Sequence, residues 1–167
     1  MNQQIINEIR NLKRNYQNNN NIYEIQYLKI TEEIFMNKLK KITRHKWENI
    51  TVEDNKEYAN NGMTMNINQE GDIVCISKKM LKYKYLDNIK INLFNERKIN
   101  SDNFGGSNIY EKEYKQKKMV FSKNGFDVVM IIKTTKMDKD VVSEYEMNIV
   151  FKSGNNEMML NDIFQLI

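Results

Sequence analysis

The sequence predicts an α+β protein in which two short N-terminal helices precede an antiparallel β-barrel. Apolar residues recur at helical spacing near the start of the chain and again in residues 34–42. From residue 45 onward, segments of alternating apolar and polar residues follow one another with short turns between them. Such a meander of about seven or eight strands must protect its outermost strands, and closure into a barrel removes those edges.

The length and composition favour one globular domain. The chain has 167 residues, of which 40% are hydrophobic and 29% are charged. We expect a single domain over residues 1–167, in which residues 1–21 form a helix and a linker. The net charge of +4 is typical of a protein with an anionic partner such as a nucleotide, polyphosphate or RNA, and equally of an ordinary basic protein.

Cysteine usage and hydropathy indicate an intracellular protein. Cys75 is the one cysteine, so no internal disulfide can form, and no secretory apolar segment opens the chain. A reducing compartment is therefore expected. No apolar run approaches the roughly 20 residues of a membrane span, so we expect no membrane partner.

The first elements follow from apolar spacing and a capping residue. Ile5, Ile6, Ile9 and Leu12 predict an amphipathic helix over residues 1–16, which would cover one end of a sheet. Residues 17–21 form a polar linker, and residues 22–28 form the first strand. Thr31 is placed to cap a second helix with acidic residues in its first turn.

The remaining elements are strands. The strand-like segments cover residues 45–52, 63–67, 72–84, 88–94, 109–121, 126–133 and 143–151, with a loop containing Gly105 and Gly106 at 101–108 and an apolar tail at 160–167. Asn124 and Gly125 lie between two alternating segments, which is a strong hairpin signal.

Two strands carry acidic or amide side chains at alternate positions. Glu24 and Gln26 share one face of the first strand because successive side chains point to opposite faces. Glu144, Glu146 and Asn148 share one face of the last strand. These faces either lie in water, as in an ordinary half-buried strand, or line one interior where carboxylates can hold a metal ion.

Three other strands carry charges in alternation. The residues that share a face are Glu111, Glu113, Lys115 and Lys117 in one strand, Lys78, Lys82 and Lys84 in a second, and Lys90 and Asn92 in a third. Both signs of charge on one face suit a site for metal and phosphate, and they also describe an ordinary solvated surface.

Several other chemistries lack the residues they need. His45 is the one histidine, Cys75 lies in an apolar run, and no glycine-rich phosphate loop leads into a helix. Four tyrosines could stack on nucleobases or pack against neighbouring strands: Tyr23, Tyr27, Tyr83 and Tyr85.

The order of these segments resembles a known family. A Glu-x-Gln strand, the helix Ile30-Thr31-Glu32-Glu33, the strand Ile89-Lys90-Ile91-Asn92-Leu93 followed by Glu96, the basic Tyr114-Lys115-Gln116-Lys117-Lys118 segment, the Asn-Gly turn and the late Tyr145-Glu146-Met147-Asn148 strand occur in sequence. Over residues 22–151 this order is similar to the metal-dependent RNA 5′-triphosphatases of the tunnel fold, found in the capping enzymes of fungi, protists and large DNA viruses.

The resemblance implies an eight-stranded closed tunnel that removes the γ-phosphate of nascent RNA with Mg²⁺ or Mn²⁺. It implies Glu24 and Glu146 as metal ligands and Glu96 and Glu144 as catalytic or water-positioning groups. It also implies Lys90, Lys115 and Lys117 as phosphate-binding groups. The implied partners are triphosphate-ended RNA or a nucleoside triphosphate, with a guanylyltransferase or methyltransferase of the capping pathway, in the cytoplasm, a virion or a virus factory.

The sequence departs from the family pattern at several positions. Gln26 and Asn148 stand where second carboxylates are expected, unless Glu144 and Glu146 form the late pair. Gln116 and Lys118 are the alternative to Lys115 and Lys117 on the basic strand. Val129 and Ile131 replace an inward Asp and Thr in this comparison.

These departures leave three hypotheses. The first is a capping-type RNA triphosphatase. The second is a catalytically degenerate tunnel that binds RNA or serves as a structural subunit of a capping complex. The third is a basic β-barrel interaction protein, which would hold apolar residues inside and every lysine outside.

Overall fold

The chain forms a closed antiparallel barrel of eight strands. A computed structural model describes residues 1–60, 62–100 and 112–167. Around the barrel the strand order is β1-β5-β4-β3-β2-β6-β7-β8, and β8 pairs with β1 to close it. The predicted fold class is therefore confirmed.

The elements follow the predicted order with different bounds. The helices are α1 (Asn2–Asn15), α2 (Glu32–Thr43) and α3 (Leu160–Phe164), with one 3₁₀ turn at Glu157–Met159 before α3. The strands are β1 (Ile22–Tyr27), β2 (Asn49–Asn60), β3 (Met63–Asn68), β4 (Ile73–Leu86), β5 (Ile89–Ile99), β6 (Lys112–Lys123), β7 (Phe126–Met137) and β8 (Asp140–Lys152). The third helix was not predicted. The loop expected at 101–108 and the start of the strand expected at 109 lie outside the described residues.

The main difference along the chain concerns β2. The sequence predicts a strand from residue 45 to 52, but β2 begins at Asn49 and continues to Asn60. Trp47 lies before the strand, buried, and its indole N–H donates to the backbone carbonyl of Ile42 at 2.8 Å. A buried indole N–H needs a hydrogen-bond partner, and the carbonyl at the end of α2 provides it. The extension of β2 carries Glu57 into the barrel.

The hydrophobic core lies outside the barrel, under the helices. Ile6 and Ile9 of α1 and Ile163 of α3 are fully buried with Ile25 and Ile91 of the strands. Each such side chain contributes about 1.5–3 kcal/mol when it leaves water. The other fully buried members of this cluster include Tyr23, Phe35, Ile42, Leu93, Phe126, Val128, Met130, Met147, Ile149 and Leu160.

The second helix begins as its sequence predicts. The Thr31 hydroxyl accepts a hydrogen bond from the Ile34 N–H at 3.3 Å, and Glu32 and Glu33 occupy the first turn. Phe35 packs on Tyr145 of β8, with ring centroids 5.2 Å apart. The cap fixes where the helix starts and so places its apolar face on the barrel wall.

A β-bulge in β4 reverses which side chains face inward. The pairing with β5 slips between Met80 and Lys82. Before the slip Lys78 faces the interior, whereas after it Lys84 points outward and forms an ion pair with Glu8 of α1 at 2.7 Å. The sequence predicts one shared face for these lysines, and the bulge divides them because one extra residue exchanges the two faces.

The β6–β7 hairpin confirms the Asn-Gly prediction. Asn124 and Gly125 have φ angles of +54° and +82°, as a two-residue hairpin turn requires. The side-chain amide of Asn155 donates to the Gly125 carbonyl at 2.8 Å. A Cβ at position 125 would lie 2.5 Å from the Asn155 Nδ2 atom.

Gly125→Ala should therefore destabilise the protein by about 1–2 kcal/mol, since it forces a left-handed backbone and displaces Asn155. Gly154→Ala is the matched control, because a Cβ there meets nothing within 4 Å. The control should change stability by less than about 0.5 kcal/mol. Urea unfolding of both variants measures this, and equal stabilities would contradict the turn assignment.

Candidate functional site in the barrel interior

Polar side chains line the lumen of the barrel. On β1, Glu24 lies opposite Asn92 of β5, and Gln26 lies opposite Lys90 of β5 and Asn148 of β8. The intervening residue Ile25 is fully buried on the outer side with the helices. The polar faces of β1 and β8 therefore point to the interior of the barrel, as one of the two interpretations expects, although Glu144 is exposed.

The first cluster surrounds Glu24. The amide nitrogen of Asn92 donates to Glu24 Oε1 at 2.9 Å and to Gln26 Oε1 at 3.2 Å. The Lys78 ammonium lies 4.0 Å from Glu24 Oε1 and 3.9 Å from the centroid of the Phe94 ring. The Glu24 side chain is 15% exposed, so its charge is largely shielded from water and depends on these partners.

The second cluster is an ion-pair bridge on the inner face of the wall. Lys133 Nζ lies 3.2 Å from Glu57 Oε2 and 3.3 Å from Glu146 Oε1. Glu57 is on β2 and Glu146 is on β8, and these strands are not neighbours in the barrel. Lys133 is on β7, which pairs with β8 and is separated from β2 by β6 alone, so this bridge ties four consecutive strands of the wall together.

The bridge keeps Lys133 charged. Burial lowers the pKa of the Lys133 ammonium, but Glu146 and Glu57 raise it by more, so the pKa lies above its ordinary value. The Tyr114 ring, 5.0 Å from the ammonium, adds a cation–π contact. Lys133 is thus a fixed positive charge inside the barrel.

A set of amide groups completes the polar lining. The carbonyl oxygens of Asn92, Gln116 and Asn148 are buried, and no described residue donates a hydrogen bond to them. Asn55 and Asn66, which share the inward register, carry the same kind of unpartnered oxygen. Part of this lining encloses a cavity of about 440 Å³, whose walls include Glu53, Asn55, Asn66, Gln116 and Lys118. Buried oxygens of this kind need water or a ligand as partner.

The two predicted metal ligands both face the lumen but do not meet. Glu24 pairs with Val150 of β8, which is four residues from Glu146 in the ladder. At about 3.3 Å per residue, this places their backbones about 13 Å apart along the strand. The β8 side chain opposite Gln26 is Asn148. The expectation that Glu24 and Glu146 share one metal ion is thereby corrected.

The two predicted catalytic acids stand on the inward register of their strands. Glu96 lies opposite Lys78, and Glu144 lies opposite Lys133. Both residues are exposed. Each acid therefore lies beside a lysine of one of the two clusters, and their catalytic role stays a prediction.

The predicted phosphate-binding lysines divide between the two faces. Lys90 faces the lumen opposite Gln26. Lys115 and Lys117 lie on the outer face, where they line a separate cavity of about 760 Å³ together with Lys56. This corrects the expectation for those two residues, because the inward members of β6 are Gln116 and Lys118, the alternative that the sequence left open.

The residues present do not fit a carboxylate-held divalent cation. Among the described residues, no group of three or more His, Cys, Asp or Glu side chains lies close enough to hold a metal ion. Where Gln26 meets Asn148, Glu24 is the one carboxylate, and the Asn92 amide already occupies one of its oxygens. Amide oxygens carry no charge to balance Mg²⁺ or Mn²⁺.

Sequence reasoning missed Glu57 and Lys133 as members of the site, and it placed Lys78 on a charged face only together with Lys82 and Lys84. Lys133 shares the parity of Val129 and Ile131, so alternation alone could have placed it inside. Glu57 falls beyond the predicted end of β2. The inward position of Lys78 depends on a bulge that no sequence pattern signalled.

Comparison with known proteins supports the fold. No family model and no curated protein matches the sequence. Among solved structures, the mimivirus capping enzyme triphosphatase shares 16% identity, covers 98% of this chain and 96% of its own, and has a TM-score of 0.68. The Pct1 RNA triphosphatase of S. pombe, in complex with the Spt5 CTD, shares 10% identity over 98% of this chain and 83% of its own, with a TM-score of 0.64.

The chain has the tunnel fold of RNA triphosphatases. At these identities the likeness shows the fold, and the chemistry must come from the residues of this tunnel. The eight-stranded closed barrel is the fold that the order of segments predicted. In the described part of the chain, no helix is long and apolar enough to cross a membrane.

Lys133→Ala should destabilise the tunnel by about 2 kcal/mol, because it leaves Glu57 and Glu146 enclosed without their cation. Lys82→Ala is the matched control, since Lys82 is an exposed lysine on the outer face of β4. The control should lie within about 0.5 kcal/mol of the parent. Chemical unfolding at neutral pH measures both.

The contribution of the Lys133 bridge to folding stability should fall at high pH. The folded pKa of Lys133 lies above the 10.5 of an unperturbed lysine. Its ion pairs therefore stabilise the fold fully below pH 10.5 and lose that contribution as pH rises through the folded pKa. Lys133→Arg stays charged there, so its stability should fall less than that of the parent above pH 10.5. Parallel stability curves would contradict the bridge.

Proposed function

We propose that this tunnel binds the 5′-triphosphate end of RNA, or a nucleoside triphosphate, in its lumen. The observation that carries the proposal is the inward register of lysines from three different strands. Lys78, Lys118 and Lys133 all stand on the inward register, beside amide groups that can donate hydrogen bonds. A polyphosphate loses its hydration in such a space and needs cations and donors in return.

The acids in the lumen leave some hydrogen-bond donors of the lysines unused, and these donors can bind a phosphate. The Lys133 ammonium has three donors, and Glu57 and Glu146 account for two of them. Lys78 lies at 4.0 Å from Glu24, which is longer than a hydrogen bond, so its donors can turn to a phosphate oxygen. The acids hold the lysines inside the lumen while it has no anion.

Calorimetry with inorganic tripolyphosphate should show binding that weakens as salt is raised. Lys78→Ala and Lys118→Ala should each weaken it by about 10-fold or more, the loss of a charge-assisted hydrogen bond. Lys82→Ala should leave it unchanged, because that side chain lies outside the barrel.

The proposal is overturned if the parent protein binds no tripolyphosphate. It is also overturned if Lys82→Ala weakens binding as much as Lys78→Ala, because that result would locate the anion on the outer surface.

Hydrolysis of the γ-phosphate, the activity of a capping triphosphatase, is the second candidate. It is favoured by the position of Glu24, an enclosed carboxylate that can accept a proton from an attacking water. Lys78 and Lys133 would stabilise the charge that develops on the phosphate oxygens. A tunnel that binds without hydrolysis would instead hold the RNA end for a guanylyltransferase or another capping partner.

Release of γ-phosphate from triphosphate-ended RNA and from ATP distinguishes the two roles. The assays are run with Mg²⁺, with Mn²⁺ and with chelator. If the tunnel is an enzyme, Glu24→Gln should lower the rate by at least about 100-fold. Glu8→Gln, which alters a glutamate outside the barrel, is the control. No release by the parent, or an undiminished rate in Glu24→Gln, rules out hydrolysis at this site.

A further inference from the structure

Two exposed tyrosines stand side by side on β4. Tyr83 is 54% exposed and Tyr85 is 58% exposed, although both are large aromatic side chains. Their ring centroids are 5.8 Å apart, and the rings meet edge to face at 79°. The pair leaves aromatic surface open to solvent, and tyrosine rings of this kind suit contacts that are apolar on one side and wet on the other.

The bulge in β4 turns both rings to the lumen side. After the slip at Met80, Tyr83 lies opposite Asn92 and Tyr85 lies opposite Lys90. Asn92 is the residue that donates to Glu24 and Gln26. The aromatic pair therefore adjoins the first polar cluster, and its exposure places it at the mouth of the tunnel rather than in its depth.

Lys90 holds a positive charge over the same rings. Its ammonium lies 4.7 Å from the centroid of Tyr83 and 5.4 Å from that of Tyr85. It also stands opposite Gln26 across the β1–β5 pair. An aromatic face and a cation at the entrance of a polar lumen suit a ligand with a flat ring at one end and phosphates at the other.

The other two tyrosines singled out in the sequence have a different environment. Tyr23 is fully buried on the outer side and stacks on Phe151, with centroids 5.5 Å apart. Tyr27 is partly buried against the same core. Burial explains both of these residues as packing, whereas packing does not explain Tyr83 and Tyr85.

We infer that Tyr83 and Tyr85 form a stacking platform for the nucleobase of the terminal nucleotide, whose phosphates extend into the lumen. The inference rests on the proposed triphosphate binding and adds the base as a second recognised group. Lys78 is opposite Glu96, four residues along β5 from the partner of Tyr83. That offset is about 13 Å of strand, a distance that a ribose and its phosphate chain can bridge.

The platform accepts any base, because every base presents a π-face. When the base stacks on the rings, the Lys90 ammonium can move from them to the α-phosphate. Its charge then pairs with the phosphate. The tunnel should thus prefer a nucleoside triphosphate or an RNA end over a bare polyphosphate.

Binding of ATP, GTP, inorganic tripolyphosphate and adenosine to the full chain tests this inference by calorimetry. The parent should bind ATP and GTP about 10-fold more tightly than tripolyphosphate. Tyr83→Ala/Tyr85→Ala should remove that difference and leave tripolyphosphate binding unchanged. Tyr83→Phe/Tyr85→Phe should keep it, since the ring suffices. Val141→Ala, at an exposed apolar residue on β8, is the control for losing surface area.

Each remaining outcome separates the platform from the proposed function. Tripolyphosphate binding without preference for nucleotides overturns the platform and leaves the proposed function intact. A preference that survives the double alanine variant also overturns it. Adenosine binding that depends on the tyrosines, with no tripolyphosphate binding, supports the platform and overturns the proposed function. Absence of binding by all four compounds overturns both.

Discussion

The structure depends on keeping ionised groups paired inside a barrel. Small barrels usually fill their interior with apolar side chains. Here Lys133 of β7 joins Glu57 of β2 and Glu146 of β8 inside the barrel, and Lys78 lies beside Glu24. An enclosed charge without a partner destabilises the fold by several kcal/mol. Each of these groups therefore offsets the desolvation cost of its partner.

The placement of charges inside leaves the apolar faces to the outside, where the helices cover them. Ile5, Ile6, Ile9 and Leu12 of α1 form one stripe on that core. Arg10 and Lys13 of the same helix pair with Glu157 at 3.1 and 3.0 Å, which fastens α1 to the turn before α3. The helices therefore cover the hydrophobic core on the outside of the barrel. They leave the lumen to solvent and ligands.

This chain has the same tunnel fold as the RNA triphosphatases that it resembles in structure. The residues of its lumen, however, decide whether the tunnel suits a metal ion or a phosphate chain. Amides at Gln26 and Asn148 lie opposite each other where carboxylates would attract a divalent cation. Val129 and Ile131 make part of the inward wall apolar and are 7% and 8% exposed. The positive charge in the lumen instead comes from lysines. These lysines are the ground for the proposed binding of a phosphate chain, which rests on the side chains rather than on the fold.

The sequence by itself determined the alternation of Glu24 and Gln26, the cap at Thr31 and the Asn124–Gly125 turn. Each depends on neighbours within a few residues, where local geometry leaves few choices. Tertiary structure alone decided the rest. The bulge after Met80 sent Lys78 inward and Lys84 outward, and the β1–β8 register set Asn148, not Glu146, opposite Gln26. The bridge of Glu57 to Lys133 joins residues from distant segments, and only closure of the barrel brings such groups within reach of each other.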